Sequence, residues 1–160
     1  MRFRIGVISD THGLVRPEVA DVFAGVDAIV HAGDIGGEHV LDALHAIAPL
    51  TFVEGNVDDG SGEGIVRATI GGLRVLLTHV LPEAEKPAPR IVASLKKAPA
   101  DVVIFGHSHQ QFNDCVNGVW YFNPASAGPR RFHLPVSVGM IEKRGSAWRA
   151  RHIALIETSR

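Results

Sequence analysis

Phe3-Arg4-Ile5-Gly6-Val7-Ile8-Ser9-Asp10-Thr11-His12 is an apolar, partly β-branched run that stops at a carboxylate and, two residues on, an imidazole. The run itself reads as a buried β-strand. The same event recurs four times downstream. Asp27 to Ala32 runs into Gly33-Asp34, Leu50 to Glu54 into Gly55-Asn56, Arg74 to Thr78 into His79, and Asp101 to Phe105 into Gly106-His107-Ser108-His109. Helical patterns lie between several of these strands: Pro17 to Ala24, Gly37 to Ile47 and Pro89 to Ala98. Alternating strands and helices predict parallel strands, and in open α/β sheets the carboxyl ends of such strands share the edge where ligands bind. Five donor-bearing strand ends therefore point to one site.

Outward from these runs the chain becomes strand-rich. Ile65 to Ile70 and Leu73 to Thr78 form a hairpin across Gly71-Gly72, and Gln111 to Val116 and Val119 to Asn123 another across Asn117-Gly118. Val136 to Lys143 and Ser146 to Leu155 are expected to flank a turn at Arg144-Gly145. The expected architecture is an α/β sandwich, two mixed sheets packed face to face with helices outside, in a single domain over residues 1–160. Length and composition agree: 160 residues, 46% hydrophobic and 21% charged, are those of a globular protein.

The donors at the strand ends are chemically consistent. Asp10, His12, Asp34, Asn56, His79, His107 and His109 supply oxygen and imidazole nitrogen without a thiolate, a set suited to Mn²⁺, Fe, Zn²⁺ or Ni²⁺. Seven ligands exceed the needs of one tetrahedral ion and suffice for two if a carboxylate bridges them. Asp34, from a strand between the two groups, is the natural bridge. His107 and His109 alternate in an extended segment, which turns both rings the same way.

The ordered set Asp-x-His, Gly-Asp, Gly-Asn, His and Gly-His-x-His resembles the calcineurin-like metallophosphoesterase superfamily. Length and spacing are most similar to its small bacterial and archaeal phosphodiesterase branch, to which the non-catalytic small subunit of retromer is related. Asn123-Pro124-Ala125-Ser126 is similar to that branch's Asn-Pro-Gly-Ser. The resemblance implies the four-layer sandwich and two divalent metal ions, with Mn²⁺ favoured. One ion would take Asp10, His12, Asp34 and His109, and the other Asp34, Asn56, His79 and His107. It implies hydrolysis of a phosphate ester, a phosphodiester in preference, by a hydroxide that bridges the ions, with Asp34, Asn56 and His107 as the catalytic set. Two departures stand out: Val80 follows the fourth-motif histidine where glycine is common, and Val57 takes the place of a histidine that acts on the leaving group in many members.

Other residues carry lesser expectations. His31 reads as a support for the ligands or as packing, and Asp58 as a turn former. His39, His45 and His152 are expected to face solvent, as are Arg130, Arg131 and His133 in a long loop, while Cys115 and Trp120 to Phe122 are expected to pack in the sheet. Net charge is −1, and the cations cluster only at Lys96-Lys97 and Arg130-Arg131. The expected partner is a small phosphate ester, without nucleic-acid polymer or membrane; the single cysteine and the lack of a signal or membrane-spanning run fit the cytoplasm. The competing reading is a catalytically weak scaffold of the retromer-subunit type.

Overall fold

A computed structural model describes residues 2–155. The chain alternates as β1 (Arg2–Ile8), α1 (Pro17–Val22), β2 (Ala28–His31), α2 (Glu38–His45) and β3 (Leu50–Phe52). The hairpin β4 (Ile65–Ile70) and β5 (Leu73–Thr78) follows, then α3 (Pro89–Lys97) and β6 (Val102–Ile104). The last four strands are β7 (Gln111–Val116), β8 (Val119–Pro124), β9 (Ser137–Arg144) and β10 (Ala147–Ala154). They form two five-stranded sheets, β10-β9-β1-β2-β3 and β4-β5-β6-β8-β7. In the first sheet β1, β2 and β3 are parallel, and in the second β5, β6 and β8 are.

Packing follows the expected four layers. Ile5, Val7, Val30 and Ile141 of the first sheet meet Val75, Leu77, Val102, Ile104 and Phe122 of the second in an apolar middle layer. Val19, Phe23, Val40 and Leu44 carry α1 and α2 onto the outer face of the first sheet against Ile8, Ile29 and Met140. Ile91 fixes α3 on the outer face of the second sheet with Leu76, Val103 and Tyr121. The end of α3 is tied down as well: the Arg67 guanidinium of β4 donates to the Ser94 carbonyl, which also accepts from Ala98 N–H, and to the Ala98 carbonyl just past the helix.

Four expectations are corrected. The β9–β10 turn sits one residue later, because Arg144 pairs with Ala147 and leaves Gly145-Ser146 as the two turn residues; Gly145 takes the left-handed φ of 62° that the first position of such a turn needs. Cys115 is exposed, since β7 is an edge strand. His152 is half-buried: its Nε2 donates to the Asn123 carbonyl at 2.7 Å and its ring stacks on Phe122, 4.8 Å between centroids. It shares a face with Trp148 and Ala150, so strand alternation turns it inward.

The fourth correction concerns charge. Cations cluster well beyond the two dipeptides, because the register of three strands gathers them. Arg2 pairs with Arg144, which pairs with Ala147; Arg4 with Glu142, then Arg149; Gly6 with Met140, then Arg151. Register partners share a face. Five arginines and one glutamate thus occupy one side of β1, β9 and β10, at the opposite end of β1 from Asp10.

Candidate metal centre

Six parallel strands end at one rim of the sandwich, and six of the seven expected ligands converge there. Potential ligand atoms of Asp10, His12 and His109 lie within 4.8 Å of one another, as do those of Asp34, His79 and His107. Asp10 Oδ1 faces Nε2 of His109 at 3.3 Å, of His79 at 3.7 Å and of His12 at 3.9 Å. Asp34 Oδ2 faces Nε2 of His79 at 3.2 Å and of His12 at 3.7 Å, one imidazole from each triad. Asn56 is exposed and is tied to the cluster through its neighbours: Val57 N–H donates to Asp34 Oδ1 and Gly55 N–H to Asp58.

These separations suit shared coordination. Two donors each ~2.1 Å from one ion and ~90–110° apart stand ~3.0–3.4 Å from each other. Asp10 Oδ1, His12 Nε2, His79 Nε2 and His109 Nδ1 are buried with no hydrogen-bond partner among the described residues. Orphaned buried polar atoms are costly, and so many at one place call for a ligand. His79 is oriented for that role: its Nδ1 donates to the Ala32 carbonyl at 2.7 Å, which leaves Nε2 to present a lone pair.

Charge favours ionised carboxylates. Burial pushes the Asp34 carboxyl up, but the close His79 imidazole, the Val57 N–H that donates to it and the nearby His12 outweigh it and hold the group down at about 2. Asp10 is lowered likewise, burial being overcome by His109, His79 and Ser9. Burial is also the largest influence on His79, yet Asp34 and Asp10 outweigh it and raise the imidazole. At His12 burial prevails over the same two carboxylates and lowers it.

The backbone explains why the sequence carries glycines here. A Cβ on Gly33 would stand 2.6 Å from His79 Nδ1, one on Gly106 2.7 Å from Asp10 Oδ2, and one on Gly55 would collide with Asp34 Oδ1. The glycine of each pair makes room for a ligand on another strand. The ligands themselves absorb the tight turns: Asp10, His12, Asp34, His107 and His109 all have φ between 46° and 72°. Left-handed backbone costs roughly 1 kcal/mol or more per non-glycine residue, and such strain gathers at functional sites where the surroundings hold it.

Several residues do the holding. Gly33 N–H donates to His31 Nδ1, His31 Nε2–H to Thr11 Oγ1, and the Thr11 hydroxyl to the Ile35 carbonyl, so the Asp10 and Asp34 loops are bound through a fully buried ring. Burial lowers His31 to about 4 and keeps it neutral in this role. Asp58 does make the expected turn back to Gly55, but its carboxylate also accepts from Ile35, Gly36 and Gly55 N–H at 2.8, 2.9 and 3.0 Å. It fastens the Asp34 loop to the Asn56 loop. Asn123, at the end of the sixth parallel strand, donates to the Gly106 carbonyl and to Ser108 Oγ. Ser126 donates to the Asp10 carbonyl, and Arg90 to the carbonyls of Glu63 and Val80 beside His79. Arg131 and His133 are exposed in the following loop, whereas His39 is exposed yet hydrogen-bonded to the Gly13 carbonyl.

Fold and site together are those of a metal-dependent phosphoesterase. The calcineurin-like phosphoesterase superfamily domain matches residues 3–145, and the chain belongs to that superfamily. It is similar to a probable metallophosphoesterase of Methanothermobacter thermautotrophicus, 38% identical over an alignment of 132 residues that covers 76% of each chain. Among solved structures it superposes on an archaeal phosphodiesterase (TM-score 0.69, 20% identity, 94% of this chain and 100% of that one). It also superposes on the zinc-complexed Vps29 of Entamoeba histolytica (TM-score 0.70, 21% identity, 95% and 99%). At these identities the two superpositions speak for the fold.

Proposed function

We propose that the chain is a phosphodiesterase that works with two divalent ions, Mn²⁺ in preference to Zn²⁺, Fe or Ni²⁺. The carrying observation is Asp34 Oδ2, which faces His12 of one triad and His79 of the other, at 3.7 and 3.2 Å, while its Oδ1 is occupied by the Val57 N–H; Asp10 Oδ1 also reaches both triads, but stands farther from His79, at 3.7 Å. That places one carboxylate oxygen between two donor groups, as a bridge requires. When bound, the ions would activate water near neutral pH and neutralise charge on the phosphoryl oxygens. Asp10, His12, Asp34 and His109 would hold one ion, and Asp34, Asn56, His79 and His107 the other. Asn56 donates a neutral oxygen, so the two carboxylates leave the centre net positive and suited to a diester monoanion. His107, the exposed member of its triad, would meet the substrate side of the centre.

Val57 sets the leaving-group preference. It is 51% exposed at the rim and cannot donate a proton. A missing general acid costs typically ~10²–10⁴-fold, and the cost falls on leaving groups that must be protonated. The test is a rate comparison on Mn²⁺-loaded protein with matched aryl phosphodiesters, aryl phosphomonoesters and alkyl phosphomonoesters. Hydrolysis is expected in that descending order, and Val57→His should raise the monoester rates selectively. Equal rates on alkyl monoesters and aryl diesters would overturn the assignment and direct attention to His133 as the acid.

The scaffold reading has one favourable observation, the close superposition on Vps29. The complete set of imidazole and carboxylate donors weighs against it, and absence of any metal-dependent turnover would restore it.

A further inference from the structure

The arginine face of β1, β9 and β10 is remote from the metal centre and plays no part in the chemistry above. It forms a grid three strands wide: Arg2, Arg144 and Ala147 in one row, Arg4, Glu142 and Arg149 in the next, Gly6, Met140 and Arg151 in the third. Helix α1 covers only the third row, where Phe23 lies against Gly6 and Met140 is buried. The rest is an open concavity of about 540 Å³, with Ala147 as its exposed apolar side chain and Glu142, Arg144, Arg149 and Arg151 around it.

Charge within the grid is unbalanced. Glu142, the one carboxylate, is shared by Arg2 and Arg144. Arg4 is engaged with the Ala24 carbonyl. Arg149 and Arg151 are exposed and have no carboxylate within ion-pair distance among the described residues. Five arginines against one glutamate give a formal +4; the whole chain carries −1, so subtracting leaves −5 for everything else.

We propose that this face docks a short acidic segment of a partner protein, one that sets an apolar side chain on Ala147 between carboxylates held by Arg149, Arg151 and Arg144. Guanidinium groups pair carboxylates in a two-point geometry, and the open arginines supply them. The occupant must be short. The grid measures about 10 Å across the strands and about 13 Å along them, room for a few extended residues. An extended nucleic acid would leave this area and meet a remainder of −5, and the grid offers no aromatic ring on which a base could stack. A flat anionic membrane would not enter a concave surface. Because β1 carries this face at its start and Asp10 beyond its end, docking leaves the metal centre open; the proposal stands or falls independently of the esterase reading.

Fluorescence anisotropy on the full chain tests it. The probes are two fluorescein-labelled synthetic peptides of equal length: one alternating Glu and Asp around a central Leu, the other with Gln and Asn in their places. A single-stranded oligonucleotide and phosphatidylserine vesicles serve as competing probes. The acidic peptide should bind, more weakly as salt rises, and the Arg149→Glu/Arg151→Glu double variant should bind it about tenfold more weakly or worse. Thermal melting and metal content of the variant should match the parent, and Arg149→Gln/Arg151→Gln should give an intermediate loss if the reversal disturbs folding. Equal affinity for the acidic and neutral peptides, or binding unchanged in both variants, overturns the proposal. Tighter binding of the oligonucleotide or vesicles, lost in the variants, overturns the choice of a protein segment.

Discussion

The two sheets contribute unequally to the rim where they meet. The first brings both carboxylates, Asp10 and Asp34, with His12 and Asn56, whereas the second brings only imidazoles, His79, His107 and His109. Their bracing differs as well. Loops of the first sheet are bound by the buried His31–Thr11 ring and by the Asp58 side chain, which accepts from three N–H groups. Loops of the second are bound by a neutral amide, Asn123, and by Arg90 acting on carbonyls. Charge-assisted bonds thus brace both sides, the Asp58 carboxylate reaching N–H groups on the first and the Arg90 guanidinium reaching carbonyls on the second. It follows that the site exists only while the sandwich keeps both halves in contact.

Substitutions can break or sharpen that contrast. The largest effect belongs to Asp34→Asn, which removes a charge that faces both triads. Turnover should fall by at least ~10³-fold, because the metal chemistry itself is lost, and elemental analysis should find the metal gone as well. His133→Ala, exposed in its loop, should leave most of the rate.

Next in size are the braces. Asp58→Ala leaves three N–H groups without their carboxylate, so metal affinity and turnover should drop ~10–100-fold, with ~1–3 kcal/mol of stability lost in a denaturant melt. Asn123→Ala, on the imidazole side, should cost less on both measures. Equal losses would dissolve the contrast between the halves.

The smallest effect is expected at Ala125, which adopts a φ of 67° while fully buried. Ala125→Gly relieves ~1 kcal/mol of left-handed strain and forfeits ~0.8 kcal/mol of methyl burial. The melting midpoint should barely move. A shift of more than a few degrees in either direction would mean that the Asn123 to Ser126 segment is held differently.

The fold was legible because its signals are local. Each apolar run and the donor after it lie within about ten residues, and glycine before Asp34, Asn56 and His107 marks the crowding that the structure explains sterically. What was illegible depends on partners far away in sequence. The turn at Asp58 could be read, but not its hold on Ile35 and Gly36, 23 and 22 residues distant. The arginine face needs the order β10-β9-β1, a pairing across more than 130 residues that no periodicity reveals. His152 is a partial exception, since its alternation with Trp148 and Ala150 was visible and turned it inward. The imbalance between the two sheets is equally invisible in the chain, where the seven ligands appear as a simple succession.

The central claim is that the donors from both sheets form a single two-ion centre around Asp34. It is tested most directly by counting ions. The full chain is loaded with Mn²⁺ or Zn²⁺, freed of excess metal, and its metal-to-protein ratio is measured beside Asp34→Asn. The account predicts close to two ions per chain for the parent and a loss of both in the variant. No retention above a buffer control, or one ion held equally by parent and variant, would contradict it.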